Sequence, residues 1–218
     1  MADYTAARLN MVESQVRPNR VTDTRVLGAL LDVPRELFLP ERLRGVAYVD
    51  EDLPVAPGRY LMEPMVFARL LQTARIKPID TALEIGGATG YGAAVIAQLA
   101  LRVVALEDSR ETAATVEAAL RRLDVRNVKT VTGLLADGYP ADAPYDVIVF
   151  GGAVEHVPSP IADQLAEGGR LLAVIAPPGE PGRATLITRI GGALSRRIVF
   201  DAGTPLLPGL QLEPGFAF

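Results

Sequence analysis

The chain has no cysteine, no tryptophan and a single histidine, His156, among its 218 residues. Without cysteine it has neither disulfides nor thiolate chemistry, and a reducing compartment is compatible with that composition. One histidine and no cysteine also leave only scattered carboxylates as metal ligands. We therefore expect no metal site.

Long apolar runs and blocks of basic residues are missing as well. No apolar run approaches the length of a membrane helix, and the N-terminus MADYTAARLNMVES lacks the apolar core of a signal peptide. The net charge of -4, with no basic block, argues against nucleic acid as an obligate partner. We expect a cytoplasmic protein that binds no membrane and is a monomer or a weak homo-oligomer. Because 49% of the residues are apolar, a substantial core is expected.

The first 75 residues differ in pattern from the rest of the chain. Helices are predicted at 6–15, at 65–73, and from a cap at Thr22 or Asp23 to residue 31, with prolines interrupting the segment before residue 64. From residue 79 onward, strands and helices alternate. Strands are expected at 81–85, 102–107, 128–132, 145–150 and 171–176, helices at 91–100, 111–123 and 159–166, and a closing β-hairpin at 184–190 and 194–200.

Continuous apolar strands such as 147–150 are typical of a parallel sheet that is covered on both faces. The predicted class is therefore α/β, a doubly wound Rossmann-like fold with a mostly parallel sheet, a C-terminal antiparallel hairpin and a helical N-terminal cap. Residues 1–75 form the cap and lid within the same domain, 76–204 the core, and 205–218 a tail. We expect Phe216 and Phe218 of this tail to dock onto their own domain.

The most informative segment is LEIGGATGY at residues 83–91, a short apolar strand that leads into an acid and a glycine-rich turn. A helix pattern follows, and the next apolar run delivers Glu107 about 20 residues after Gly86, the spacing of a Rossmann-type nucleotide site. Glycines let the backbone come close to a ligand, and the second acid can accept two hydrogen bonds from a ribose diol.

The spacing of the turn indicates which nucleotide fits. The dinucleotide fingerprint G-x-G-x-x-G would need glycine at Ala88 and Tyr91. The methyltransferase pattern acid-x-Gly-x-Gly-x-Gly matches at Glu84, Gly86 and Gly90, with Ala88 at the middle glycine. An acid two residues before the first glycine suits a cofactor with a cationic amino-acid end, such as S-adenosylmethionine. The alternative is an ordinary strand-to-helix turn that binds nothing.

Four segments, in order between about Met11 and Leu207, resemble the protein-L-isoaspartate O-methyltransferase family. They are MVESQVRPNRVTDTRVLGALLDVPRELFLPERLRGVAYVDEDLPV, LEIGGATGYGAAVIA, APYDVIVFGGAVEHVP and LAEGGRLLAVI. The resemblance implies a Rossmann-like methyltransferase that uses S-adenosylmethionine to methylate the carboxylate of isoaspartyl residues, a step in protein repair. Isoaspartyl peptides or proteins would be its substrates. The cofactor residues that the resemblance implies are Glu84, Gly86, Gly87, Ala88, Gly90, Tyr91, Glu107 and Leu134.

Two segments depart from the family pattern. Where the family has Gly-Gln-Thr-Ile-Ser-x-Pro, this chain has GRYLMEP at residues 58–64. Met62 occupies the family's hydroxyl position, flanked by Tyr60, Leu61 and Glu63, so no catalytic residue is identified. Where the family has Gly-Asp-Gly after the third strand, Leu134 follows Gly133 and can pack on an adenine without accepting its amino hydrogen bond.

These departures leave three hypotheses open. The chain is a divergent member that repairs isoaspartate, a methyltransferase for another acceptor, or a relative that binds the cofactor or a protein without turnover. The scarcity of histidine and cysteine does not argue against catalysis. A carboxylate is already ionised at pH 7 and needs no general base before it attacks a sulfonium methyl group.

Overall fold

The computed structural model describes residues 3–211, which form a seven-stranded sheet with helices on both faces. The strand order is β5-β4-β3-β6-β7-β8-β9; the first five run parallel, and the last two form an antiparallel hairpin. The helices are α1 (Tyr4–Met11), α2 (Thr24–Asp32), α3 (Pro64–Ala74), α4 (Tyr91–Ala97), α5 (Arg110–Arg122) and α6 (Ser159–Asp163). The strands are β1 (Leu53–Ala56), β2 (Arg59–Leu61), β3 (Thr81–Ile85), β4 (Arg102–Glu107), β5 (Val128–Thr132), β6 (Tyr145–Val154), β7 (Leu165–Ile175), β8 (Arg183–Ile190) and β9 (Ala193–Asp201). The predicted fold class is confirmed.

Alternation along the central strands divides the core into two layers. In β3, Ala82 packs with the helices of the N-terminal segment and with α4 and α5, while Leu83 and Ile85 pack on the opposite layer with α6. Successive side chains of a strand point to opposite faces, so one apolar run supplies both layers. The cap helices share their core with the sheet, since Leu30 and Val66 belong to the same cluster as Ala82.

Several predicted boundaries are corrected by the structure. The helix expected at 159–166 ends at Asp163, because Leu165 already pairs with Tyr145 as the start of β7. Strand β6 extends beyond residue 150 to Val154, and α4 ends at Ala97 rather than at residue 100. The first helix is α-helical only to Met11 and continues as a π-helical turn.

A short antiparallel hairpin of β1 and β2 lies outside the main sheet and was not predicted. Pro54 lies within β1, although the prolines of this segment predict only interruptions of regular structure. A proline is tolerated in such a strand because a two-stranded ribbon has free edges. This hairpin carries Arg59 and Tyr60 toward the carboxyl end of the main sheet, as the contacts of Arg59 below establish.

The tail begins by covering the end of the sheet. Leu206 forms a parallel bridge with Ala153, and Leu207 and Leu210 are buried in the layer that contains Ile85. Phe216 and Phe218 lie outside the described residues. Within residues 3–211, none of the helices is both long and apolar enough to cross a membrane.

Candidate functional site

The glycine turn connects β3 to α4 at the carboxyl end of the sheet. Its backbone is left-handed at three alternate positions, with φ of +72° at Gly86, +61° at Ala88 and +84° at Gly90, which is also the N-cap of α4. Glycine adopts these angles without a steric penalty, whereas Ala88 is strained by about 1–2 kcal/mol. The chain therefore maintains an unfavourable alanine conformation in the turn that the sequence singles out.

Two acids lie on the same face of neighbouring strands beside this turn. Glu84 of β3 pairs with Ala105 of β4, and Glu107 follows two residues later, so the period of the strands places both carboxyls toward the α4 side. The position of Glu107 was predicted from spacing alone. The structure places it next to Glu84 and the glycine turn.

The Glu84 carboxyl is buried and incompletely bonded. Its side chain is 2% exposed, and Oε2 has no hydrogen-bond partner among residues 3–211. Burial, and then the charge of Glu107, raise the pKa of Glu84 to about 8, although the Ala93 N–H opposes the shift. A Cβ on Gly92 would lie 1.8 Å from Glu84 Oε1, so glycine at that position makes room for the carboxyl. An unsatisfied buried carboxyl fits the cationic amino end of a cofactor.

Glu107 is almost fully buried, at 1% exposure, and both of its oxygens are engaged. The Ala88 N–H donates to Oε1 at 2.8 Å, and Arg59 Nη2 donates to Oε2 at 2.8 Å. Burial raises the pKa of Glu107, and the Arg59 guanidinium opposes that shift. Arg59 Nη1 also donates to Asp108 Oδ2 at 2.6 Å. Both Glu107 oxygens are therefore already bonded, one to the glycine turn and the other to the Arg59 guanidinium.

Two leucines cover the first glycine of the turn. A Cβ on Gly86 would lie 3.0 Å from Leu207 Cδ2 and 3.3 Å from Leu135 Cδ1. Leu134, which was expected to touch the adenine, is 72% exposed, whereas Leu135 is buried. The structure therefore places Leu135 and the tail residue Leu207, not Leu134, against the turn.

Tyr91 belongs to the core beneath the cap. Its ring packs edge-on against Phe38, with 5.7 Å between centroids, and the Arg35 guanidinium lies 4.9 Å from its centroid. Arg35 Nη2 in turn donates to the Met62 carbonyl at 2.8 Å. Tyr91 thus links the segment around Met62 to the start of α4.

The segment that departs from the family's hydroxyl motif is partly buried. Leu61 and Met62 are buried, and Tyr60 and Glu63 are partly exposed. Partial burial together with the charges of Asp50 and Asp52 raises the pKa of Glu63 to about 7. The environment of this segment is acidic, and Tyr60 and Met62 stand where the resemblance places Thr and Ser, so only the Tyr60 phenol supplies a hydroxyl there.

Asp50 and Asp52 have defined roles at the start of α3. Asp52 Oδ1 accepts from the Glu63 N–H at 3.0 Å and from the Thr204 hydroxyl at 2.9 Å, and Asp50 Oδ1 accepts from the Met65 N–H at 3.0 Å. Carboxylates there satisfy free N–H groups at a helix start. Asp52 also connects the cap to Thr204, the residue just before the tail.

A cavity of about 640 Å³ opens beside Arg59 and the glycine turn. It is bounded by Phe38 of the cap, Arg59 of the hairpin, Ala88 of the turn, and Asp108 and Thr112 at the start of α5. Its size is within the range of cofactor and small-molecule sites. The sequence did not identify Arg59, Asp108 or Leu207 as residues near the turn. Arg59 alone lies in a segment that the sequence singled out, GRYLMEP, and nothing in that segment indicated its contact with Glu107.

Comparisons with known proteins identify the family and agree with the fold. The model of the protein-L-isoaspartate(D-aspartate) O-methyltransferase family matches residues 7–199. The curated protein-L-isoaspartate O-methyltransferase of Methanoculleus marisnigri is 41% identical over 78% of this chain and 77% of its own. That of Koribacter versatilis is 36% identical over 97% of this chain and 95% of its own.

Two solved structures share the architecture. A protein-L-isoaspartate O-methyltransferase with 26% identity has a TM-score of 0.81 over 95% of this chain and 67% of its own. A Plasmodium falciparum protein with 20% identity, solved with S-adenosyl-L-homocysteine, has a TM-score of 0.80 over 96% of this chain and 100% of its own, and it supports the fold alone. The chain therefore belongs to the protein-L-isoaspartate(D-aspartate) O-methyltransferase family.

Proposed function

We propose that this chain transfers a methyl group from S-adenosylmethionine, the cofactor of its family, to the carboxylate of isoaspartyl residues in damaged proteins. The observation that carries the proposal is the pair Glu84 and Glu107 at the carboxyl ends of adjacent strands, beside a left-handed glycine turn. In open α/β sheets ligands bind at this edge. The curated relatives support the choice of acceptor.

The residues of the chain would divide the work of binding. Glu84, which has an unsatisfied oxygen, would receive the cationic amino end of the cofactor, and Glu107 would receive its ribose hydroxyls. When bound, the cofactor supplies an electrophilic methyl group on a sulfonium. Because the acceptor carboxylate is ionised at pH 7, the protein needs mainly to align the reactants and exclude water.

A second acceptor class is favoured by the acidic surroundings of Glu63. Partial burial and then the nearby charges of Asp50 and Asp52 raise the pKa of Glu63, and Met62 replaces a hydroxyl residue of the family motif. Three carboxyls disfavour an anionic acceptor and favour a cationic one. An amine acceptor would have to lose a proton, and a carboxyl with a pKa of about 7 suits that transfer.

The test measures labelled methyl transfer from S-adenosylmethionine to an isoaspartyl peptide, its aspartyl twin and a lysine-containing peptide. Isoaspartate repair predicts label in the first peptide only, released as methanol in mild alkali because it is a methyl ester. Alkali-stable label in the lysine-containing peptide would show that the acceptor is an amine and not the isoaspartyl carboxylate. Label in none of the three, with the cofactor still bound, would reject both acceptors.

We also propose that the protein works in the cytoplasm as a monomer or a weak homo-oligomer, without nucleic acid. The absence of cysteine and of basic blocks supports this proposal. Sedimentation of the purified protein at micromolar concentration, with and without added RNA, checks the assembly and the partner. A stable tetramer or a co-sedimenting RNA complex would contradict it.

A further inference from the structure

Arg59 lies at the site in a position that the proposed reaction does not use. Its side chain is only 4% exposed, and its guanidinium bridges Glu107 and Asp108 at 2.8 and 2.6 Å. Arg59 Nε is buried and has no hydrogen-bond partner among residues 3–211. The side chain is thus held by two carboxylates while one of its own donors is unsatisfied.

This contact conflicts with the role proposed for Glu107. A ribose diol needs access to the Glu107 oxygens, yet Glu107 is 1% exposed, with Ala88 N–H on one oxygen and Arg59 on the other. The Ala88 N–H belongs to the turn that would cradle the cofactor. Arg59 belongs to the separate β1–β2 hairpin, so it is the partner that can leave without disturbing the turn.

The surroundings give Arg59 an alternative position. Arg59 and Asp108 both line the cavity of about 640 Å³, and the Asp108 side chain is 37% exposed, unlike that of Glu107. The guanidinium can therefore leave Glu107 and keep one carboxylate partner at the edge of the cavity. Arginine keeps its charge throughout, so the exchange requires no proton transfer.

We propose that Arg59 is a latch that sets cofactor affinity: it occupies Glu107 in the unliganded protein and swings to Asp108 alone when the ribose hydroxyls bind Glu107. This inference rests on the proposed cofactor site and adds a residue that the binding step must displace. Separating a charged hydrogen bond of this kind lowers affinity by about one to two decades. Removing the latch should therefore tighten binding, which a residue with a purely structural role would not do.

The test compares Arg59→Gln and Arg59→Leu with a matched control, Arg170→Gln. Arg170 is also a largely buried arginine that is paired with a carboxylate, Asp80, but its neighbours Ala74 and Arg75 belong to the end of α3, away from the glycine turn. S-adenosylhomocysteine is titrated calorimetrically into each protein, and the melting temperature of each is measured without ligand.

The latch predicts that Arg59→Gln binds S-adenosylhomocysteine about tenfold or more tightly than the parent while melting at a lower temperature. Arg59→Leu should also bind S-adenosylhomocysteine more tightly than the parent. Because leucine cannot donate a hydrogen bond, this variant removes the contact with Glu107 even if the glutamine of the first variant keeps it. The control should melt lower with unchanged affinity. Binding to Arg59→Gln alone, with none to the parent at millimolar ligand, would overturn the latch, because Arg59 would then block Glu107 permanently instead of yielding to the cofactor.

Two other outcomes overturn the inference and are distinguishable. If the parent binds and both Arg59 variants bind equally or more weakly, the latch is wrong while the cofactor site stands. If neither the parent nor the Arg59 variants bind at millimolar ligand, the cofactor site itself fails, and the proposed function fails with it.

Discussion

Buried ionisable side chains are fully paired at one end of the sheet and incompletely paired at the other. At the amino end, Asp80 precedes β3 and accepts from the Lys77 N–H at 2.7 Å and from Arg170, whose guanidinium also binds the Ala74 and Arg75 carbonyls. At the carboxyl end of β3, Glu84 keeps an oxygen without a partner among residues 3–211.

This difference separates stability from function within one strand. A buried polar group without a partner is costly, and such groups are retained where a ligand completes them. The satisfied end at Asp80 holds α3 against β7. We propose that the unsatisfied carboxyl of Glu84, at the other end, is completed by a ligand with a cationic group.

The largest effect is expected when the ion pair between Asp80 and Arg170, at the amino end of the sheet, is removed. Asp80→Ala leaves the Arg170 guanidinium largely buried without its carboxylate, and we expect a loss of about 3–5 kcal/mol in the free energy of unfolding. Urea unfolding measures it. Affinity for S-adenosylhomocysteine should be unchanged in the folded variant. If affinity falls as well, the two ends are not separate in function.

The buried Glu84 carboxyl, at the carboxyl end of β3, should make the stability of the protein depend on pH. Because the folded pKa of Glu84 is about 8 and its usual value is 4.5, the folded state binds more protons than the unfolded state between these two values. Its contribution to stability is complete below about pH 4.5 and is lost as pH rises to about 8, by a few kcal/mol. Urea unfolding across this pH range should show that fall in the parent and a flatter profile in Glu84→Gln. Identical pH profiles in the parent and in Glu84→Gln would mean that Glu84 does not cause the pH dependence.

A smaller effect concerns cofactor binding at Glu107. Glu107→Gln keeps the shape but removes the charge that strengthens a hydrogen bond to a ribose hydroxyl. We expect affinity for S-adenosylhomocysteine to fall by about one to two decades, measured by calorimetry. The control is Asp146→Asn, which also replaces a carboxylate by its amide but lies at the start of β6, where Asp146 accepts from the Thr81 N–H at the amino end of the sheet. Equal affinity in parent and Glu107→Gln would remove Glu107 from the site.

The smallest expected effect relaxes the turn itself. Ala88 has a left-handed backbone, so Ala88→Gly relieves about 1–2 kcal/mol of strain and costs about 0.4–1 kcal/mol through the greater entropy of unfolded glycine. We expect a net stabilisation of roughly 1 kcal/mol or less. Thermal unfolding measures the change. A destabilised variant would mean that the Ala88 methyl packs usefully against the cap, which would outweigh its backbone strain.

The sequence predicted the elements whose apolar runs have clear ends. Strands 81–85, 102–107 and 128–132 coincide with β3, β4 and β5, and the N-cap of α2 is Asp23, one of two predicted candidates. The helix expected at 159–166 exists as α6, but its predicted end was wrong because Leu165 belongs to a strand. Its apolar character suits either element, and pairing with Tyr145 decides between them.

The site was predictable only where local spacing determines it. The register of neighbouring parallel strands brings Glu107 beside Glu84, and the spacing of about 20 residues already implied it. Arg59 was not predictable, because its contact with Glu107 joins residues 48 positions apart through a hairpin that the prolines obscured. Leu207 reaches the turn from the tail, and no local pattern indicates such a contact.

The most direct test of the central claim is a calorimetric titration of S-adenosylhomocysteine into the parent protein at pH 7. If the carboxyl end of the sheet is a cofactor site, with Glu84 awaiting a cationic group, one molecule should bind per chain with a micromolar dissociation constant. No detectable binding up to millimolar ligand would contradict the claim. It would mean that Arg59, Leu135 and Leu207 fill the site permanently.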